Sequence, residues 1–173
     1  MRRTSAALAL SLLFAVSSSG RADTLSGPPL MQSSSAMQSL GLHLEAIRNV
    51  TLVSVSYPNQ GLNAVIELRS EANAVLASVN VIGTPSATVS INYPLTAGAR
   101  YKLVALSSGN SRYAPFLSFP LENKDLRVLS SWGGTDANGV EQAMFWMAFN
   151  DLETSDPSHI DSSTWTKIKG LYR

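Results

Sequence analysis

The chain has 173 residues, 45% of them hydrophobic and only 14% charged, with a formal net charge of +1 and no cysteine. The missing cysteine excludes a disulfide framework, thiolate zinc sites and cysteine nucleophiles, so a fold here must rest on a hydrophobic core. The near-neutral balance excludes the basic stripe that nucleic-acid binding requires.

Arg2 and Arg3 open the chain, Ala6 to Val16 form an uncharged apolar run, and Ser17 to Gly20 are small. Gly20 and Ala22 stand at positions −3 and −1 of a cleavage after Ala22. This is the pattern of a secretory signal peptide over residues 1–22. Its apolar run falls short of the roughly 20 residues that cross a bilayer. Removing it takes away Arg2, Arg3 and Arg21, leaving ten basic against twelve acidic side chains. No later stretch is long and apolar enough to span a membrane, so none is expected in the mature chain. Export to the periplasm, the cell surface or the medium is the expected localisation. About 150 mature residues suffice to bury a core.

Residues 23–39 contain Pro28, Pro29 and several serines without hydrophobic periodicity, and read as a flexible leader. From Leu40 apolar and polar residues alternate. Val50 to Tyr57 places Val53, Val55 and Tyr57 on one face, and Pro58 to Gly61 ends it. Leu62 to Leu68, Val75 to Ile82, Ala87 to Tyr93 and Tyr101 to Ser107 follow with the same period of two, separated by Gly, Pro and Asn. Alternation at that spacing is the signal of short antiparallel strands, not of βαβ units.

Leu95-Thr96-Ala97-Gly98-Ala99-Arg100-Tyr101 lies between two of these strands. It resembles the loop before strand F in fibronectin type III and related immunoglobulin-like domains, where Leu, Gly and Tyr recur at this spacing. The resemblance covers roughly residues 50–120. It implies an antiparallel Greek-key β-sandwich in which the Tyr101 hydroxyl bonds back to the loop as a tyrosine corner. It also implies that residues 87–93, 101–107 and 113–119 are strands E, F and G. Ala97 stands where those domains usually have Pro, and no Trp occupies the early strands. The run from Ala64 to Leu106 is also similar to small periplasmic β-sandwich pilotins, but those are typically lipoproteins and no cysteine is present here to carry a lipid. Fold likeness of this kind speaks to architecture and not to activity.

Residues 120–173 read as a C-terminal elaboration of one β-sandwich domain spanning 40–173. Leu126 to Ser131 is expected as a strand, closed by the Gly-rich run Gly133 to Gly139. Ala143 to Phe149 is continuously apolar, and periodicity leaves strand and helix open; a strand paired with 126–131 is the expectation. Asp151 to Ser163 reads as an acidic connection and Trp165 to Tyr172 as a final edge strand.

Each candidate chemistry has a simpler account. Asp136-Ala137-Asn138-Gly139 looks like part of a calcium loop, but Asn-Gly already explains a turn and the repeating acids are missing. Asp151, Glu153, Asp156, His159 and Asp161 could meet a hard cation, yet such a run is usually a solvated loop. His43 and His159 have no metal-site spacing, and there is no Gly-x-Ser-x-Gly elbow. No catalytic residue, metal or cofactor is therefore assigned. A carboxylate pair for glycoside hydrolysis stays open, because it can assemble from distant strands.

All three tryptophans, Trp132, Trp146 and Trp165, fall in the last third. Trp146 belongs in a core. Trp132 and Trp165 sit beside turns, and with Tyr113 they are the candidate binding residues, for a glycan or a protein partner. The leading expectation is an exported, non-catalytic binding or assembly module of the bacterial envelope or surface, with a protein partner there. The alternatives are a carbohydrate-binding protein or small glycan-active enzyme, and a polymerising pilin-like subunit. Homo-oligomerisation fits any of them.

Overall fold

A computed structural model of the chain describes residues 22–27, 32–34, 39–58, 63–83, 86–107, 111–113, 118–134, 142–144 and 149–157. The described residues form strands and turns, with no helix among them. The first sheet runs β1 (Asp23–Ser26), β13 (Asp151–Ser155), β4 (Val50–Tyr57), β7 (Ala87–Leu95). The second runs β10 (Leu121–Glu122), β11 (Leu126–Gly134), β3 (Ser39–Ala46), β8 (Arg100–Ser107), β5 (Ala64–Ser70), β6 (Val75–Val81), with β12 (Gln142–Met144) also on β11. β2 (Gln32–Ser34) and β9 (Ser111–Tyr113) form a separate pair. Every pairing is antiparallel.

Alternation explains the core. Leu40, Leu42, Leu44 and Ala46 of β3, Ile66 and Leu68 of β5, and Tyr101, Leu103 and Ala105 of β8 point inward from the second sheet. Leu25, Leu52, Val55, Tyr57, Val89, Ile91 and Leu152 come from the first sheet into the same cluster. The two sheets therefore share one aliphatic interior, with the Tyr57 and Phe149 rings 5.6 Å apart within it. Full burial of each large side chain contributes roughly 1.5–3 kcal/mol.

The loop singled out in the sequence does what the resemblance implied. The Thr96 amide donates to the Tyr101 hydroxyl at 2.9 Å, while the Tyr101 ring is buried. Gly98 takes φ +75°, a conformation that costs glycine little, and its amide reaches Ala46. The Ala97 amide donates to the Asn49 side chain at 2.8 Å, so the corner is also tied to the turn after β3.

Several expectations are corrected. Residues 23–39 are not simply a leader: Asp23–Ser26 completes the edge of the first sheet, because Leu25 supplies a core side chain beside Leu152. Val53 does not share a face with Val55 and Tyr57. The register against β13 and β7 shifts there, so Leu52 points inward on one side of the irregularity and Val55 on the other. Opposite it, Asn92 has φ +50°, the left-handed conformation of a bulge residue. The strand expected from Tyr113 to Phe119 is not seen beside β8 among the described residues, which leave out 114–117. Ser111–Tyr113 pairs with β2 instead, Ser118 and Phe119 lie outside any strand, and the place beside β8 belongs to β3.

The acidic connection expected from Asp151 begins instead as β13, between β1 and β4. Its inward positions are Leu152 and Thr154, and a single Leu among acids leaves little pattern to read. β11 runs through Gly133 and Gly134, beyond the expected end at Ser131. Gln142–Met144 is a strand on Ser131 to Gly133, so of the strand expected over Ala143–Phe149 the described residues show Ala143 and Met144, paired at and beyond the end of 126–131, while Phe149 lies outside any strand. The stretches 135–141, 145–148 and 158–173 lie outside the described residues, and with them the Asp136–Gly139 turn, Trp146 and the strand expected at 165–172.

Tyr101→Phe should lower unfolding free energy by about 1 kcal/mol, the usual loss when one partner of a part-buried hydrogen bond is removed. Urea unfolding of the two proteins checks this, with the m-value expected unchanged.

Candidate functional site

Of the three residues proposed for binding, Trp132 is the one whose side chain is described. Trp132 is 5% exposed, not open to solvent beside a turn. It stands opposite Gly41 in the β11–β3 register, and a Cβ on Gly41 would overlap the indole atoms Cε2, Cζ2 and Nε1. The ring therefore lies across β3, on the face away from the shared core, in the space that glycine leaves free. Gly41 pairs in turn with Val104 of β8, which is fully buried. β8 is thus covered on both faces from Tyr101 to Ala105, which accounts for its continuous Leu103-Val104-Ala105 run. The Trp132 indole N–H meets no acceptor among the described residues. Tyr113 sits in β9, whose side chains are not described, and Trp165 lies outside the described residues.

What the structure does assemble is a polar cluster at one end of the sheets, which the sequence reading missed. Asp125, in the turn before β11, has a fully buried side chain. Its Oδ1 accepts from Arg48 Nε at 2.5 Å and its Oδ2 from the Thr154 hydroxyl at 2.6 Å. Arg48, in the turn between β3 and β4 and 40% exposed, also donates to Asp156 Oδ1 at 2.6 Å. The Asp125 carbonyl accepts from the Ile47 amide, and the Asn123 side chain caps the amides of Asp125 and Leu126. Lys124 lies 3.7 Å from Asp23, where β1 starts.

Burial alone would raise the Asp125 pKa. The hydrogen bonds from Arg48 and Thr154, with the guanidinium charge, outweigh it and hold the carboxyl below its ordinary value. Arg48 is correspondingly raised, first by its hydrogen bond to Asp125. Each group thus stabilises the charged form of the other. Such a closed pair suits a structural tie; a general acid or base would need a pKa near the working pH.

The other candidate side chains are dispersed. Glu153 accepts from the Ser54 hydroxyl on the first sheet. Asp151 bonds with neighbouring Asn150. His43 is on β3 of the second sheet, paired in register with Lys102 and Ser130. No group of His, Asp and Glu among the described residues could hold a metal ion. His159 and Asp161 lie outside them. Compared with known proteins, the chain matches no protein-family model, and no curated protein matches its sequence.

Two outcomes test these assignments. Arg48→Met leaves Asp125 buried beside Thr154 alone and should cost about 2–3 kcal/mol at pH 7. That is below the 3–5 kcal/mol for a fully buried pair, because Arg48 is partly solvated. Since the folded pKa of Asp125 is depressed, its contribution is present above the unfolded value of about 3.9 and is lost as pH falls through the folded value. The gap between wild type and Arg48→Met should therefore narrow below about pH 4, as read from chemical unfolding at stepped pH. Gly41→Ala should cost about 1–3 kcal/mol through overpacking against Trp132. In a double-mutant cycle with Trp132→Leu, part of that loss should be recovered.

Proposed function

We propose that this chain is an exported, non-catalytic binding or assembly module of the bacterial envelope or cell surface, built on an immunoglobulin-like sandwich. Two pairings support the architecture. β4 pairs β7 in one sheet and β5 pairs β8 in the other, so the chain changes sheet between β4 and β5 and again between β7 and β8. Strands B, E, C and F have this relationship in immunoglobulin-like domains, and the Tyr101 corner stands at the start of the strand corresponding to F.

The observation that carries the functional reading is how the charged groups are used. Arg48, Asp125 and Asp156 bond to one another with Thr154, and Arg69 is paired with Glu67 on the same strand. Charge in this region serves cohesion, and association would fall to sheet edges and neutral surface. The glycan reading loses an exposed Trp132 face on which a sugar ring could stack. Its remaining candidates are Trp165 and Tyr113.

The test is affinity capture of the tagged, exported protein from its own cell envelope after mild cross-linking. The same preparation is titrated with soluble polysaccharides while tryptophan fluorescence is followed. Reproducible enrichment of one envelope protein, with no saturable glycan response, is expected. A saturable glycan response without any enriched protein would replace this reading with carbohydrate recognition, and release of sugar during the titration would make the chain an enzyme.

A further inference from the structure

An open sheet edge presents unpaired main-chain groups to any other strand, and natural proteins blunt such edges with short strands, proline, charge or bulges. Most edges here are blunted. β1 has four residues, β12 three and β10 two. β7 carries Pro94 and the positive-φ Asn92. β6 differs from them. It pairs only with β5 among the described strands, and Val75-Leu76-Ala77-Ser78-Val79-Asn80-Val81 contains neither charge nor proline. Val75 at its start is 53% exposed and Ile82, just past its end, is 74% exposed. These are two of the three large hydrophobic side chains exposed among the described residues, the third being Ile47. Only the start of β6 is irregular, since Leu76 is the extra residue where the register against Leu68 and Arg69 shifts.

We infer that β6 pairs antiparallel with β6 of a second copy of this chain, about a twofold axis at Val79. The strand is complementary to its own reversal. Val79 meets Val79, Ala77 meets Val81, and Ser78 meets Asn80, whose side chains can hydrogen-bond across the pair. Charge selects the occupant. A strand with no ionised group does not repel its copy, and it offers no electrostatic code for a charged foreign segment. The pairing joins two six-strand paths into one continuous sheet through a closed, isologous contact. It goes beyond the binding reading and does not depend on it.

Sedimentation of the purified protein at increasing concentration, up to about 100 µM at the weak end of specific association, is the test. The wild type should dimerise. Ser78→Lys/Asn80→Lys sets like charges opposite each other twice across the axis and should weaken the dimer at least roughly tenfold. Both positions are exposed, so its thermal unfolding should match that of the wild type. Mixing it with Ser78→Glu/Asn80→Glu should restore a one-to-one dimer, which a loss of folding could not do. A wild type that stays monomeric overturns the inference, as does a dimer indifferent to the lysines or a mixture that fails to re-form one. A monomeric protein that still enriches an envelope partner would overturn the dimer and leave the binding reading standing.

Discussion

The buried carboxylate of Asp125 is the constraint around which one end of the molecule is built. A charge with no solvent exposure is tolerated only when paired and hydrogen-bonded. Its partners come from two places far apart in sequence: the turn joining the two sheets, which supplies Arg48 and the Ile47 amide on its main-chain carbonyl, and β13, which supplies Thr154. Asp125 precedes β11 of the second sheet, whereas Thr154 belongs to the first. The cluster therefore fastens sheet to sheet, a task that immunoglobulin domains of antibodies give to a disulfide. A chain without cysteine achieves it with one guanidinium, two carboxylates and a hydroxyl.

Its contribution is better read as specificity than as gross stability. Burying an ion pair costs several kcal/mol per ion in desolvation, and its attraction about balances that cost. What the pair does is reject alternatives. β13 has only Leu152 and Thr154 to define its inward face, and a slip of one residue would turn both outward. Such a slip would also leave Asp125 without its hydroxyl donor. Weak hydrophobic patterning in β13 is thus offset by a polar contact of high penalty if unmade.

That division explains what could be read from the sequence. β5, β6, β7, β8 and the first part of β11 were legible because alternation over six or more residues is a local property. The Tyr101 corner was legible for the same reason, since its donor is five residues away. β1 and β13 were not, because each carries one buried Leu among polar residues and is a strand only through its neighbour. The burial of Trp132 depends on Gly41, ninety-one positions earlier, and nothing near Trp132 reports that a glycine will lie beneath it. Nothing in the residues around Asp125 marks it for burial. Its partners Arg48 and Thr154 are 77 and 29 positions away.

The position of β3 bears on how the molecule can associate. Donor-strand polymerisation requires a sheet left incomplete until a neighbour's segment fills it. Here the place beside β8 is taken in the same chain by β3, in register from Ser39 to Glu45, and the edge of β13 is taken by β1. An incoming strand beside β8 would have to expel Leu40, Leu42, Leu44 and Ala46 from the shared core. Removing even one buried Leu costs about 2–5 kcal/mol, so the exchange would have to regain every one of those contacts from the donor. β1 is the weaker seal, with four residues and Leu25 alone in the core. Addition to an edge already open requires no such displacement, so physical cost favours association that extends a sheet over association that rebuilds one.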